Sequence, residues 1–388
     1  MAERRIAEVF APGEFIKEEL DARGWSQVDL SEILGRPPRL VSEIITAKRA
    51  ITPETAKGLG DAFGTGAQFW MNLESAYRLA KVQMQGDDVV SRRASLYEKA
   101  PIKEMLRRNW IAPSENIDVL EKRVLDFFEI RSLEEKPALV SHAARKSTPY
   151  QHATPAQESW LFRAKHLART LDVSKFTDKA FTDGLVRLRQ LLPNPEDLRL
   201  VPKVLSEMGI RFLIIEPLTQ TKIDGVCFWL DRHSPVIAIS LRYDRINWFW
   251  HTLPHELGHI KNRDGLERDI PIDVDLVGEQ AQPTDQKPEL EQKADRFAAE
   301  FAINREELDD FVARARPLYS EKKILGFARR IGVHPGIVVG QLQYRREIRY
   351  THFHKYLVKV RDVLTSSALT DGWGFVPPTI SPRTGEAA

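Results

Sequence analysis

The chain has 388 residues, of which 42% are hydrophobic and 29% charged, and its formal net charge is +2. This length allows two or three domains with buried cores, and the near-neutral balance excludes nucleic-acid binding through bulk charge alone. The single cysteine, Cys227, excludes an internal disulfide framework and favours a reducing compartment, so we expect a cytoplasmic protein. No apolar stretch is long enough to span a membrane, and the first residues lack the apolar core of a signal peptide, so we expect no membrane association.

Residues 8–85 show the pattern of short helices joined by tight turns, which predicts an N-terminal all-α domain. Ser26, with Asp29 three residues later, forms a capping box, and the helix that it opens stops at Gly35. A second helix is predicted from Pro38 to Lys48, because a proline at the first helical position costs no hydrogen bond. Two short helices joined around a glycine are typical of a helix-turn-helix, whose second helix enters the major groove of DNA.

The polar face of this second helix is the predicted DNA-reading surface. Arg39 could read guanine edges, and Glu43 could accept a hydrogen bond from cytosine. Gln27 at the start of the preceding helix, with Lys48 and Arg49 past the end of this one, could hold phosphates. The predicted DNA contacts are Gln27, Arg39, Ser42, Glu43, Thr46 and Lys48. Alternatively, the helix is a solvated face, or the domain serves in dimerisation or partner binding. Acidic residues near this helix reduce the positive charge expected of a strong DNA-binding surface. A homodimer on a pseudo-palindromic site would compensate, because each half-site then needs little affinity.

Four segments of this domain carry a family resemblance. They are residues 12–20, 42–45, 50–55 and 63–73, the last closing on Phe69, Trp70, Asn72 and Leu73. Together they resemble the helix-turn-helix domain of HigA-type antitoxins, a branch of the phage-repressor-like Xre family. The turn departs from that pattern, because residues 36–38 replace small hydroxyl residues. The resemblance implies operator DNA as a partner and leaves a HigB-like toxin as a further one.

Two other regions carry weaker signals. Residues 90–204 show helical spacing of apolar residues but no motif, which predicts a helical linking region that packs on the following domain. The tail, residues 365–388, has serine, proline and glycine among few apolar residues, and we expect it to be disordered. Trp373 and Phe375 within it could dock elsewhere on the protein.

The segment 205–364 holds the strongest motif. Three β-rich runs, at 211–215, 226–230 and 235–240, precede the sequence His255-Glu256-Leu257-Gly258-His259. Positions i and i+4 share one face of a helix, so both imidazoles can reach one zinc ion, and Glu256 can act as the general base. Patterns this short also occur by chance, in which case the histidines are ordinary surface or core residues.

A second predicted helix, around residues 291–301, supplies the rest of a metal site. Catalytic zinc usually takes three protein ligands and leaves one position open, and Glu291 can supply the third ligand. Asp295 follows one turn later on the same face, where it could accept a hydrogen bond from a ligand histidine. His251, four residues before His255, is an alternative ligand ranked below Glu291.

Several roles stay open at this level. The oxyanion donor is not identified; the candidates, each of which could equally be a surface or packing residue, are His251, His334, Tyr344 and Arg345. The acidic, proline-bearing stretch 264–288 is either a lid or a flexible connection. Residues 324–342 look like a second helix-turn-helix, and for them a packing role near the site is favoured.

The motifs of the last domain carry a second resemblance. Asp224-Gly225, the strand at 237–240, the motif at 255–259 and the segment 291–301 are together similar to the ImmA/IrrE metallopeptidase family over residues 205–345. This resemblance implies zinc held by His255, His259 and Glu291, with Glu256 as general base. It also implies a substrate of repressor type, since members of the family cleave helix-turn-helix repressors.

The sequence therefore predicts an α+β, mostly α protein. It comprises an N-terminal all-α helix-turn-helix domain, a helical middle region and a small-sheet, gluzincin-like metallopeptidase domain. The predicted function is a DNA-binding transcriptional regulator with zinc-dependent endopeptidase activity, which cleaves a repressor or itself in stress or mobile-element gene control. The alternative is a HigA-like antitoxin and autorepressor whose zincin domain is a non-catalytic binding or sensing module.

Overall fold

The computed structural model describes residues 10–84, 88–139, 153–266, 272–274, 276 and 286–372. The chain divides into two compact units, with the division between Arg92 and Arg93. None of the helices within the described ranges combines the length and apolarity needed to cross a lipid bilayer.

The first unit is helical throughout its described secondary structure. Its helices are α1 (Pro12–Arg23), α2 (Gln27–Leu34), α3 (Pro38–Ile45), α4 (Pro53–Phe63) and α5 (Ala67–Met84). They surround a small core in which Leu30, Leu59 and Trp70 are fully buried. The indole Nε1 of Trp70 donates to Thr65 Oγ1 at 2.8 Å, so this buried ring also satisfies its polar atom.

The helix-turn-helix forms where the local signals predict it. The Ser26 side chain accepts from the Asp29 amide and the Asp29 carboxylate accepts from the Ser26 amide, which completes the capping box. Gly35 ends α2 in the left-handed region, at φ 61°. The predicted end of the second helix at Lys48 is wrong: α3 ends at Ile45, because Ala47 turns to φ 56°.

The second unit combines many helices with one small sheet. Helix α6 (Val89–Lys99) crosses the division between the units. The helices that precede the sheet are α7 (Ile102–Arg107), α8 (Ile117–Phe128), α9 (Pro155–Arg169), α10 (Asp178–Arg189) and α11 (Val201–Glu207). Those that follow its first three strands are α12 (Ile246–Asn262), α13 (Glu289–Ala302), α14 (Arg305–Ala315), α15 (Glu321–Ile331), α16 (Pro335–Tyr344) and α17 (Arg361–Thr365). Short 3₁₀ segments lie at Pro195–Leu200 and His354–Tyr356.

The sheet has five strands in the order β4-β2-β3-β1-β5. The strands are β1 (Arg211–Ile214), β2 (Ile223–Trp229), β3 (Pro235–Ile239), β4 (Ile272–Val274) and β5 (Leu369–Thr370). β3 pairs parallel to β1 and antiparallel to β2, while β4 pairs antiparallel to β2, with Gly225 opposite Asp273. The mixed sheet within a mostly helical protein confirms the predicted fold class.

The sheet is covered by helices, which explains its unbroken apolar sequences. Every residue of β2 and β3 is buried, and α12 packs on both strands. Helices α9 and α11 pack on β1, and the Trp160 indole lies 3.3 Å from the carbonyl oxygen of Ile215. Helices α9 and α11, which belong to residues 90–204, therefore help to bury the sheet of the following segment.

The end of the described chain corrects one expectation. Leu369 pairs with Leu213, which makes β5 an edge strand parallel to β1. Leu364 and Ala368 are buried in the core of the second unit. The disorder predicted from residue 365 is therefore wrong for residues 365–372, because buried side chains and a strand pairing hold them. Trp373 and Phe375 lie outside the described residues.

Candidate metal centre and nucleic-acid interface

The motif histidines lie on α12, a helix buried over most of its surface. His255, Glu256 and His259 are all completely buried. The apolar residues before the motif explain this, because Phe249, Trp250 and other members of the run pack in the core of the unit. Helix α13 packs along α12 and brings Glu291 to the motif.

Three donor atoms converge in this buried space. His255 Nε2 lies 3.1 Å from His259 Nε2 and 3.1 Å from Glu291 Oε2. His259 Nε2 lies 3.6 Å from the same carboxylate oxygen. Zinc bonds of 2.0–2.2 Å in tetrahedral geometry place ligand atoms about 3.3 Å apart, so this spacing fits one zinc ion. The three predicted ligands are therefore brought together.

The opposite nitrogens of both rings face carboxylates. His255 Nδ1 lies 2.9 Å from Asp295 Oδ1, the position predicted for an orienting acid, and His259 Nδ1 lies 3.1 Å from Asp264 Oδ2. Each acid favours the tautomer with hydrogen on Nδ1, which leaves the lone pairs of both Nε2 atoms facing each other. Two lone pairs at 3.1 Å repel unless a cation or a proton lies between them, so the residues present fit a metal ion.

Asp273 is a fourth acid at the centre, and the sequence analysis missed it. Its Oδ1 lies 3.3 Å from His255 Nε2 and its Oδ2 lies 3.9 Å from His259 Nε2. It belongs to β4, in the stretch predicted to be a lid or a flexible connection. The pairing of β4 with β2 is what brings it here, and a three-residue strand carries too little pattern to reveal that pairing.

Glu256, the predicted general base, lies on α12, and its carboxyl group packs against β2. A Cβ atom on Gly225 would lie 2.2 Å from Glu256 Oε1, so the glycine leaves the space that the carboxyl group fills. Burial raises the pKa of Glu256 well above its usual range, and the charge of Asp273 raises it further. Burial alone would lower the pKa of His255, but Asp273, Asp295 and Glu291 outweigh it and raise the pKa well above its ordinary value.

Three of the four candidate oxyanion donors line one cavity. A cavity of about 440 Å³ is lined by His251, Tyr344 and Arg345, with Trp248 and Asp295 among its other walls. Burial lowers the pKa of His251 to about 4, so this ring is neutral at physiological pH. His251 Nε2 lies 4.0 Å from Asp295 Oδ1, the oxygen that also faces His255 Nδ1, so His251 groups with Asp295 and His255.

His334, the fourth candidate, has a structural role. It caps the N-terminus of α16, where its Nδ1 accepts from the Gly336 amide at 3.1 Å. Helices α15 and α16 pack against each other, and α16 packs on α12. This contact is what the packing interpretation of residues 324–342 predicts.

The predicted DNA-reading side chains lie on α3, just after its end and, for Gln27, at the start of α2. Arg39 is 89% exposed, and its Nε donates to Glu43 Oε1 at 2.8 Å, while Arg49 donates to Glu43 Oε2 at 2.8 Å. The exposed remainder of the predicted set is Gln27, Ser42, Thr46 and Lys48. Glu43 thus holds two arginines at one end of the helix, a role that its assignment as a cytosine acceptor did not anticipate.

Two family models match the chain. The helix-turn-helix model matches residues 16–70, and the IrrE N-terminal-like domain, of a metallopeptidase family, matches residues 206–343. The first match covers α2 and α3. The second covers the sheet strands β1 to β4 and the helices that carry His255, His259 and Glu291.

Relatives match the N-terminal part of the chain. An HTH-type transcriptional regulator of Escherichia coli, YddM, is 34% identical over 76 residues, which are 20% of this chain and 81% of that protein. Virulence-associated protein I of Dichelobacter nodosus is 35% identical over 79 residues, 20% of this chain and 73% of that protein. Among solved structures, a HigA-family antidote protein of Coxiella burnetii is 32% identical over 22% of this chain and 94% of its own, with a TM-score of 0.21. Through its N-terminal domain the chain belongs to the helix-turn-helix family of transcriptional regulators, and it joins to that domain an IrrE-type domain of a metallopeptidase family.

Proposed function

We propose that this protein is a DNA-binding transcriptional regulator that is also a zinc-dependent endopeptidase, and that it cleaves a repressor-type protein or another copy of itself. The observation that carries this proposal is the convergence of two imidazole Nε2 atoms and the Glu291 carboxylate at tetrahedral spacing beside Glu256. Asp295 and Asp264 would orient the two imidazoles.

The chemistry divides among the buried side chains. His255, His259 and Glu291 would hold the metal, which when bound supplies a Lewis acid that acidifies water and polarises a peptide carbonyl. The positive charge of the metal would offset the raised pKa of Glu256, whose carboxylate would then take the proton of the attacking water and return it to the leaving amine. Closure of the centre by α12, α13 and β2 would exclude bulk water and strengthen these interactions.

The N-terminal domain would place this chemistry on operator DNA. Helix α3 would enter the major groove, with Arg39 reaching base edges and Gln27 and Lys48 near phosphates. The Escherichia coli relative bears the name of an HTH-type transcriptional regulator, which supports this role. A homodimer on a pseudo-palindromic site in the cytoplasm is the arrangement that we propose.

The first experiment measures metal content and cleavage in the full chain. Purified wild-type protein should hold one zinc ion per chain and cleave candidate repressors or itself. Glu256→Gln keeps the shape of the side chain, so it should keep zinc and lose about 100- to 10,000-fold in cleavage rate. Glu306→Gln removes an exposed carboxylate that does not line the cavity beside the centre, so it should cleave as the wild type does. A chain that holds no zinc, or a Glu256→Gln variant as fast as the wild type, would refute the peptidase.

The contacts of Asp273 also favour a second candidate function. Zinc sites with four protein ligands are generally structural, and Asp273 offers a fourth. In this alternative the protein is a HigA-like antitoxin and autorepressor, with a HigB-like toxin as partner, and its zincin domain binds or senses without cleaving. Zinc in the protein, together with operator binding and no cleavage by any variant, would favour it.

A further inference from the structure

The carboxylate of Asp273 lies where an open metal position would be. Its Oδ1 lies 3.3 Å from His255 Nε2, and its Oδ2 lies 3.9 Å from His259 Nε2. These two nitrogens are the atoms that would bind the metal. The side chain is buried beside the Glu256 carboxyl group, with which it shares a hydrogen bond, so two acids occupy one buried space. Two buried acids are costly without a compensating cation, and coordination of Asp273 to a cation removes that cost.

Backbone contacts fix this position. Asp273 pairs across from Gly225, and Ile272 pairs with Val226. Beyond the strand, the Leu276 amide donates to Asp224 Oδ2 at 2.7 Å, and Leu276 is itself buried. Arg242 holds the same carboxylate through Nε at 3.0 Å and a terminal nitrogen at 3.2 Å. The pairing of β4 with β2 and the contacts of Asp224 therefore hold Asp273 at the metal centre.

We propose that Asp273 is a fourth protein ligand of the metal and that β4 thereby keeps the peptidase latent. The proposal of latency rests on the proposed function above. A catalytic zinc centre needs one open position, and a bound Asp273 carboxylate fills it. Water and substrate can reach the metal only after this carboxylate leaves.

β4 also lies at an edge of the sheet, which supports its role in latency. β4 is the outermost strand next to β2, antiparallel to it, and its middle residue faces the metal ligands. Extended peptides commonly bind by adding a strand to a sheet edge. An extended substrate that paired with β2 would need the position that β4 occupies. β4 therefore blocks this edge of the sheet to a substrate.

The test compares full-length wild type, Asp273→Ala and Asp273→Asn, with Glu306→Ala as the control for loss of an exposed carboxylate outside the cavity. Each protein is loaded with Co²⁺, and acetohydroxamate is titrated while the visible spectrum is recorded, because this probe needs an open metal position. Asp273→Ala should bind the probe at least about tenfold more tightly than wild type, and its zinc affinity should fall by about tenfold or more. Glu306→Ala should match the wild type. Asp273→Asn provides the same comparison as Asp273→Ala with the side-chain shape kept.

Cleavage is measured on the same proteins with zinc. Faster cleavage by Asp273→Ala, abolished again in Asp273→Ala with Glu256→Gln, would establish latency. If Asp273→Ala binds the probe more tightly than wild type but shows no cleavage, Asp273 is a metal ligand and the proposed peptidase is refuted. Equal probe affinity and equal zinc affinity in wild type and both Asp273 variants would refute the fourth ligand, and cleavage by wild type would then leave the peptidase standing.

Discussion

A methyl group added at Gly225 tests directly where Glu256 lies. In Gly225→Ala the new Cβ would lie 2.2 Å from Glu256 Oε1 and 3.1 Å from Thr252 Cγ2, whereas ordinary contact begins at 3.4 Å. The carboxyl group must therefore retreat by about 1.2 Å, or β2 must move away from α12. A displacement of this size in a reacting group costs about 100-fold in rate. Overpacking of the same site should lower the free energy of unfolding by about 1–3 kcal/mol.

Two assays on Gly225→Ala separate these effects. Denaturant unfolding of the metal-free protein reports the packing cost whether or not the protein is an enzyme, and the initial cleavage rate of the zinc-loaded protein reports the position of the base. Gly326→Ala is the matched control, because no atom lies within 4 Å of its new Cβ on α15. That change should not reduce stability, since alanine favours a helix by about 1 kcal/mol over glycine. Unchanged unfolding and unchanged cleavage in Gly225→Ala would show that Glu256 does not lie against β2.

Three further predictions concern the metal and the DNA. Asp264→Ala should lower zinc affinity by about 10- to 100-fold, measured by competition with a chromophoric chelator, because it frees the His259 ring from its partner. Zinc affinity should fall as pH falls, because nearby carboxylates raise the pKa of His255 and His259 and zinc must displace those protons. Calorimetry in two buffers of different ionisation enthalpy should detect proton release at neutral pH, and an affinity independent of pH would contradict the assignment. Arg39→Ala should weaken binding to the DNA upstream of the gene by about tenfold or more in fluorescence anisotropy, while the exposed Lys57→Ala should not.

The N-terminal domain could be predicted because its signals are local. The capping box at Ser26 and the glycine at position 35 define α2 within ten residues of sequence, and Pro38 opens the next helix. The error at Lys48 arose because no local signal marks Ala47 for a left-handed conformation. Trp70, in the last segment that carries the family resemblance, is fully buried in the core of this domain.

The metal centre could be predicted only in part. His255, His259, Glu291 and Asp295 follow helical spacing on two helices, so the pattern of each helix places them on one face. Asp264 and Asp273 depend instead on how the chain turns after α12 and on which strand β4 pairs with. Short strands such as β4 and β5 gain their stability from neighbours distant in sequence, and such pairings leave no periodic signal in so few residues.

The charges around the centre explain why a divalent ion suits it. Buried carboxylates are stable only when positive charge compensates them, and Asp273, Asp295 and Glu291 all lie within 3.3 Å of His255. Without metal, the neighbouring carboxylates raise the pKa of both imidazoles and so favour a proton between the two Nε2 atoms. A zinc ion that displaces this proton brings positive charge to the same carboxylates, so the acids that stabilise the metal-free fold also prepare the site for the metal.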